Sequence, residues 1–143
     1  MVSGVSKRVV VDTGPLVAFL SGSDSQHEAT VAEFRQLLPP FFTCEPVITE
    51  AAYLLRRIRH GTDSLLQMLD SGLLVIRFQL FSEHKQVGRL MTKYSNIPIS
   101  LADACLVRMS EQIDEPLVFT LDRDFRVYRR NGRQIIPLIA PER

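Results

Sequence analysis

The chain has little net charge, few cysteines and no long apolar run, and each shortage narrows what it can be. Its 143 residues carry 17 Lys and Arg against 16 Asp and Glu, a formal net charge of +1. Such a balance makes no strong field for a polyanion, so nucleic-acid binding would have to rest on local basic patches. Two cysteines, Cys44 and Cys105, are too few for a disulfide framework. Cys105 sits inside an apolar helical stretch, which predicts a buried thiol, and both cysteines suit a reducing cytoplasm. No apolar segment reaches the roughly 18 residues that suggest a membrane span. The short apolar run after Arg8 ends on Asp12 and makes a poor signal peptide. The expected location is therefore the cytoplasm, with no membrane partner. The histidines, His27, His60 and His84, lie apart without metal-ligand spacing, which argues against zinc. GxxxxGK[ST], GxGxxG and GxSxG are all absent, and with them the nucleotide folds and the serine elbow they mark. An aspartyl-phosphate phosphatase would need a second Asp two positions after Asp12, where this chain has Gly14.

What is present suits one globular domain over residues 1–143, with 45% hydrophobic residues to build its core. Val9 to Val11 form a continuous β-branched run, which reads as a strand buried on both faces. Further strands are predicted at 41–43, 73–76, 117–120 and 135–138. Helices are predicted at 16–20, at 25–38 from a capping box at Ser25-Gln26-His27-Glu28, and from Pro46 or Val47 to His60, with Gly61 as left-handed terminator. Three more are expected at 62–70, at 82–94 and, from a possible second box at Ser100-Leu101-Ala102-Asp103, at 101–113. Strands alternating with helices imply right-handed crossovers and a parallel sheet, whose ligands bind beyond the carboxyl ends of the strands.

Four acids stand at the edges of four different apolar elements. Asp12 continues the Val9–Val11 run, and Glu50 lies on or beside the apolar stripe shared by Val47, Ala51 and Leu54. Asp103 opens an apolar helical stretch, and Asp122 follows Leu117-Val118-Phe119-Thr120-Leu121. Carboxylate oxygens are hard donors, suited to Mg²⁺ or Mn²⁺. Each acid also has a plainer reading. Asp12 can cap the turn at Gly14, Asp103 can be the acidic partner of a Ser100 cap, and Asp122 or Asp124 can be a turn residue.

In order along the chain, Val9-Val10-Val11-Asp12-Thr13-Gly14-Pro15-Leu16, Ile48-Thr49-Glu50-Ala51-Ala52-Tyr53, Ile99-Ser100-Leu101-Ala102-Asp103-Ala104 and Phe119-Thr120-Leu121-Asp122-Arg123-Asp124-Phe125 resemble the four motifs of PIN-domain ribonucleases. Single-domain chains of this size look most like the toxins of VapBC toxin–antitoxin modules. The resemblance implies an α/β fold of three layers, a central parallel sheet with helices on both faces. It also implies Mg²⁺ or Mn²⁺ held by Asp12, Glu50, Asp103 and Asp122, with Asp124 competing for the last place and with Thr13 and Thr120 in support. The implied activity is hydrolysis of RNA phosphodiesters. The implied partners are RNA, a second copy of the chain, and a small antitoxin that blocks the acidic groove. Arg56 and Arg57 after Glu50, and Arg123 and Arg126 after Asp122, are candidate phosphate contacts, with solvated helix faces as the plainer reading. Phe41, Phe42, Tyr53, Leu54 and Leu55 exceed what one short strand and one helix face need to bury, which predicts an apolar patch for the antitoxin. The alternatives are a free-standing PIN nuclease in RNA processing and a PIN-like module that binds RNA or protein without cleaving.

Overall fold

The computed structural model describes residues 8–140. Its strands are β1 (Arg8–Val11), β2 (Phe41–Thr43), β3 (Leu74–Ile76), β4 (Pro116–Phe119), β5 (Arg129–Arg130), β6 (Gln134–Ile135) and β7 (Leu138–Ile139). Five of them form one sheet in the order β3-β2-β1-β4-β7, and every pairing in it is parallel. The valines of β1 explain its central place: Val9, Val10 and Val11 are buried, and a strand covered on both faces needs apolar side chains on both. Val10 pairs with Phe42 on one side, and Val11 pairs with Phe119 on the other.

Six helices connect the strands: α1 (Thr13–Leu20), α2 (His27–Arg35), α3 (Glu45–Leu54), α4 (Gly61–Asp70), α5 (Leu80–Lys93) and α6 (Leu101–Gln112). From β1 the chain steps outward through β2 to β3, then returns to β4 on the other side of β1. Right-handed crossovers that travel in opposite directions put their helices on opposite faces, which gives the three-layer α/β arrangement the motifs imply. The reversal also makes a switch point between β1 and β4, where doubly wound sheets leave a crevice. One layer is anchored by aromatic edges. Phe34 meets Phe19, Phe41 and Phe119 with ring centres 4.9–5.1 Å apart, and buried rings of this kind contribute about 1.5–3 kcal/mol each.

Several elements depart from the sequence expectation. α1 starts at Thr13, three residues early, because the Asp12 carboxylate accepts the Thr13 N–H at 2.7 Å and caps it. The capping box at Ser25 does not form. Asp24 accepts the Gln26 N–H at 2.8 Å instead, and α2 begins at His27. α3 ends at Leu54, well before His60. His60 takes the left-handed conformation (φ 58°), while Gly61 opens α4. Gly61 is needed for space, since a Cβ there would stand 2.8 Å from the Leu55 carbonyl oxygen. The expected strand over 135–138 divides at Pro137, which has no N–H to give. Gln134–Ile135 pairs antiparallel with β5, and Leu138–Ile139 joins the edge of the main sheet. The expected apolar patch is smaller than predicted. Phe41, Phe42 and Leu55 are core residues, leaving Tyr53 and Leu54 exposed.

Candidate active site

Where β1 and β4 end side by side, the sheet can no longer satisfy its neighbours, and the next residues turn polar. Asp12 follows β1 and Thr120 follows β4. The Thr120 hydroxyl donates to Asp12 Oδ2 at 2.7 Å, and the Thr13 N–H donates to Oδ1 at 2.7 Å. Both carboxylate oxygens are therefore held, in a side chain that is almost wholly buried. Burial raises the Asp12 carboxyl from the ordinary 3.8 to about 7. The bonds from Thr120 and Thr13 oppose that rise, and the charges of Asp103 and Asp122 add to it.

Asp12 opens onto a cleft of about 820 Å³ whose lining also includes Glu50, Asp103 and Asp122. Glu50 comes from α3, which runs from β2 with Pro46 in its first turn. Its side chain is more exposed than the apolar-stripe reading expects: Val47 and Ala51 face the core, and Glu50 stands at the rim. The Thr13 hydroxyl donates to Glu50 Oε1 at 2.7 Å and so links the first acid's neighbour to the second acid. Asp103 lies in the first turn of α6, and the Ser100 box forms as anticipated. The Asp103 N–H donates to Ser100 Oγ at 3.0 Å, and the Ser100 N–H donates to Asp103 Oδ2 at 3.3 Å. The capping role and the place in the cleft thus coincide in one residue. The Asp103 carboxyl is also raised, first by burial and then by Asp122 and Glu50, against the opposing Ser100 bonds.

The structure separates Asp122 from Asp124. Asp122 lines the cleft, its own N–H donates to Thr120 Oγ1 at 2.9 Å, and its Oδ1 accepts the Asp124 N–H at 2.9 Å. Asp124 lies in the short 3-10 turn Arg123–Arg126 and is not among the lining side chains. Arg123 is at the cleft. Arg126 is exposed beyond it. Arg56 folds onto the Tyr53 ring, 3.8 Å from its centre, and donates to the Tyr53 carbonyl at 2.7 Å; neither it nor the exposed Arg57 reaches the cleft.

Three contributions have no clear mark in the sequence. Tyr128 is buried, and its hydroxyl reaches Asp103 Oδ2 at 3.4 Å. Burial, together with the charges of Asp103, Asp124 and Asp122, pushes its phenol above the usual range. Thr43 donates to the Val11 carbonyl at 2.9 Å and steadies the end of β1. Gly14 lets α1 approach the loop after β4, since a Cβ there would meet Leu121 Cβ at 3.2 Å. A glycine directly after Asp-Thr was the one available signal.

Among the described residues no three acid, histidine or cysteine side chains already stand close enough to enclose an ion. The four acids ring an open cleft rather than a finished cage. The donor set is nonetheless all oxygen, and two of its members are raised, chiefly by burial and further by the neighbouring carboxylates, as expected of acids gathered without a countercharge.

Comparison with known proteins gives the same pattern. Residues 9–131 match the family model described as PIN domain. Ribonuclease VapC26 of Mycobacterium tuberculosis (strain ATCC 25618 / H37Rv) is 29% identical over 119 residues, a match that covers 80% of this chain and 87% of that protein. The crystal structure of Mycobacterium tuberculosis VapC20, described as a Sarcin-Ricin loop cleaving toxin, has a TM-score of 0.72 at 20% identity, over 83% of this chain and 93% of that one. At that identity the likeness speaks for the fold alone. The family match takes in Asp12, Glu50, Asp103 and Asp122, and the fold around them is the expected one: this chain belongs to the PIN-domain family.

Proposed function

We propose that this chain is a Mg²⁺- or Mn²⁺-dependent ribonuclease and the toxin of a toxin–antitoxin pair. The observation that carries this reading is the buried Asp12, held at both oxygens in a cleft with Glu50, Asp103 and Asp122. A carboxylate kept out of water costs stability unless something compensates it. The likeness to Ribonuclease VapC26 supports the RNA substrate. A module that only binds RNA or protein has no use for such a set, and nothing favours a free-standing processing nuclease over a toxin.

Asp12, Glu50, Asp103 and Asp122 would hold the ion. The two exposed acids, Glu50 and Asp122, can rotate inward, while Asp12 and Asp103 are already fixed. Bound there, the ion supplies positive charge that lowers the pKa of an attacking water and balances charge on the phosphate oxygens. The protein's own part is orientation. Thr120 and Thr13 fix Asp12, Thr13 also aims Glu50, and the Ser100 box with Tyr128 fixes Asp103. Arg123 at the cleft offers a guanidinium to a neighbouring phosphate. Asp124, outside the lining, is set aside as a ligand.

The test is cleavage of a labelled RNA in Mn²⁺ against EDTA. Cutting that requires the ion and disappears in Asp103→Asn supports the proposal; no cutting of any RNA refutes it. The toxin role predicts slowed host growth on expression alone, relieved by a small acid-blocking partner that co-purifies. The proposed setting is the cytoplasm, and the proposed assembly is a homodimer. Among the described residues no helix is long and apolar enough to cross a membrane.

A further inference from the structure

A second pocket, of about 410 Å³, adjoins the acidic cleft and shares Glu50 with it. Its walls are mostly apolar, from Pro46, Phe78, Leu80 and Leu101. Its polar side chains are Glu45, Thr49 and Glu50. All three present acceptors. The Thr49 hydroxyl spends its proton on the Glu45 carbonyl at 3.1 Å, leaving only lone pairs, and the two glutamates are carboxylates. A pocket of this size with apolar walls and a few polar atoms on one side is the usual form of a small-molecule subsite.

This lining selects its occupant. Glu45 lies outside the proposed ion site and repels a phosphate, so the pocket does not continue the path of the RNA backbone. An aliphatic ligand would leave the acceptors unmatched. A flat ring with apolar faces and adjacent N–H donors satisfies both the walls and the rim. Among the RNA bases guanine has that edge, with an imino and an amino N–H side by side, which a carboxylate can accept with both oxygens. Adenine and cytosine bring one amino group, and uracil brings a single imino N–H between two carbonyls that would face the glutamates.

We propose that the Glu45–Leu101 pocket is a guanine subsite, which receives the base next to the scissile phosphate and selects where the RNA is cut. The proposal rests on the ribonuclease reading. Because the pocket and the cleft share Glu50, a strand with its phosphate among the acids carries a neighbouring base past Leu101. Unpaired bases read along their hydrogen-bonding edges are the common means of sequence recognition in RNA. Glu45 is a specificity residue here and takes no part in the chemistry.

The experiment uses single-stranded RNAs that differ at one position beside the cut, carrying guanine, inosine (which lacks the amino group) or uracil. Cleavage in Mn²⁺ should favour guanine over uracil by roughly tenfold or more, the size expected of one bidentate base contact, with inosine between them. In Glu45→Gln the guanine-to-uracil ratio should fall towards one. A merely structural role for Glu45 would lower all three RNAs alike and leave the ratio unchanged, which would overturn the proposal, as would equal cutting by the wild type. Leu101→Ala should raise KM for guanine RNA more than it lowers kcat. Affinities for uncleavable 2′-O-methyl forms of the same RNAs, in Mg²⁺, separate the two readings. Glu45-dependent preference for guanine without any cleavage would retain the subsite and remove the ribonuclease. Binding with no preference would remove the subsite even if cleavage stands.

Discussion

Replacing Asp12 by Asn should make the ion-free protein more stable, and only above mildly acidic pH. A carboxyl raised on folding from 3.8 to about 7 makes folding depend on pH in a definite sense. Below pH 3.8 both folded and unfolded chains carry the proton, and the site costs nothing. Between the two values the unfolded chain is ionised while the folded chain holds its proton, so stability falls as pH rises. Above about pH 7 both are ionised and the penalty levels off. Each pH unit crossed is worth about 1.4 kcal/mol, so the penalty is roughly 1.5 kcal/mol at pH 5 and about 4 kcal/mol at pH 8. Asn never ionises, but it presents an NH₂ where Oδ2 accepted the Thr120 hydroxyl, at a cost of about 1 kcal/mol. The variant should therefore nearly match the wild type at pH 5 and exceed it by about 3 kcal/mol at pH 8. At about 2–4 °C per kcal/mol for a chain near this size, that is a rise in Tm of roughly 6–12 °C. Thermal melts of both proteins in EDTA at pH 5 and pH 8 measure it. Parallel pH dependence in the two proteins, or a variant no more stable at pH 8, would refute the reasoning that burial and crowding strain this acid.

Two further outcomes follow from the same crowding. Mn²⁺ or Mg²⁺ at a hundredfold excess over its dissociation constant should stabilise the wild type by about 2.7 kcal/mol, seen as a higher Tm, while Asp12→Asn stays where it was; an equal rise in both would place the ions elsewhere. Glu50→Gln and Asp122→Asn should each abolish RNA cleavage with the melting curve intact, whereas Asp124→Asn should lose far less, and the reverse order for the two aspartates would return Asp124 to the ligand set.

The sheet and the acids were legible because the same physics writes both. A strand buried on two faces must be continuously apolar, so a charge placed at its end stands out, as Asp12 does after Val11 and Asp122 does shortly after Phe119. The Ser100 box was legible because its two hydrogen bonds are local, three residues apart. The misreadings came from choices that only distant packing makes. Ser25 heads a box pattern, but the Gln26 N–H goes to Asp24 and α2 starts at His27 with no side-chain cap, so the pattern alone did not decide the start. Gly61 looked like a terminator because glycine tolerates positive φ, but it is there to clear the Leu55 carbonyl while His60 takes the left-handed turn. Phe41 and Phe42 looked like surplus apolar area because the sequence does not show that β2 is covered on both sides. Tyr128 was invisible as a partner of Asp103, since 25 residues separate them.

The bond from Thr120 to Asp12 joins residues 108 positions apart, and this bears on when the cleft can exist at all. Closing so long a loop comes late, after nearer contacts have offset its entropy. During synthesis β1 emerges early but waits for β4 to lie beside it, and until residue 120 has left the ribosome Asp12 lacks the hydroxyl that holds it. Asp122 follows only two residues later. Every chain shorter than 122 residues thus carries at most three of the acids, and every chain shorter than 116 also lacks the strand that aligns them. On the proposed function, the acids that would hold the ion are aligned only when translation of the fold is nearly done.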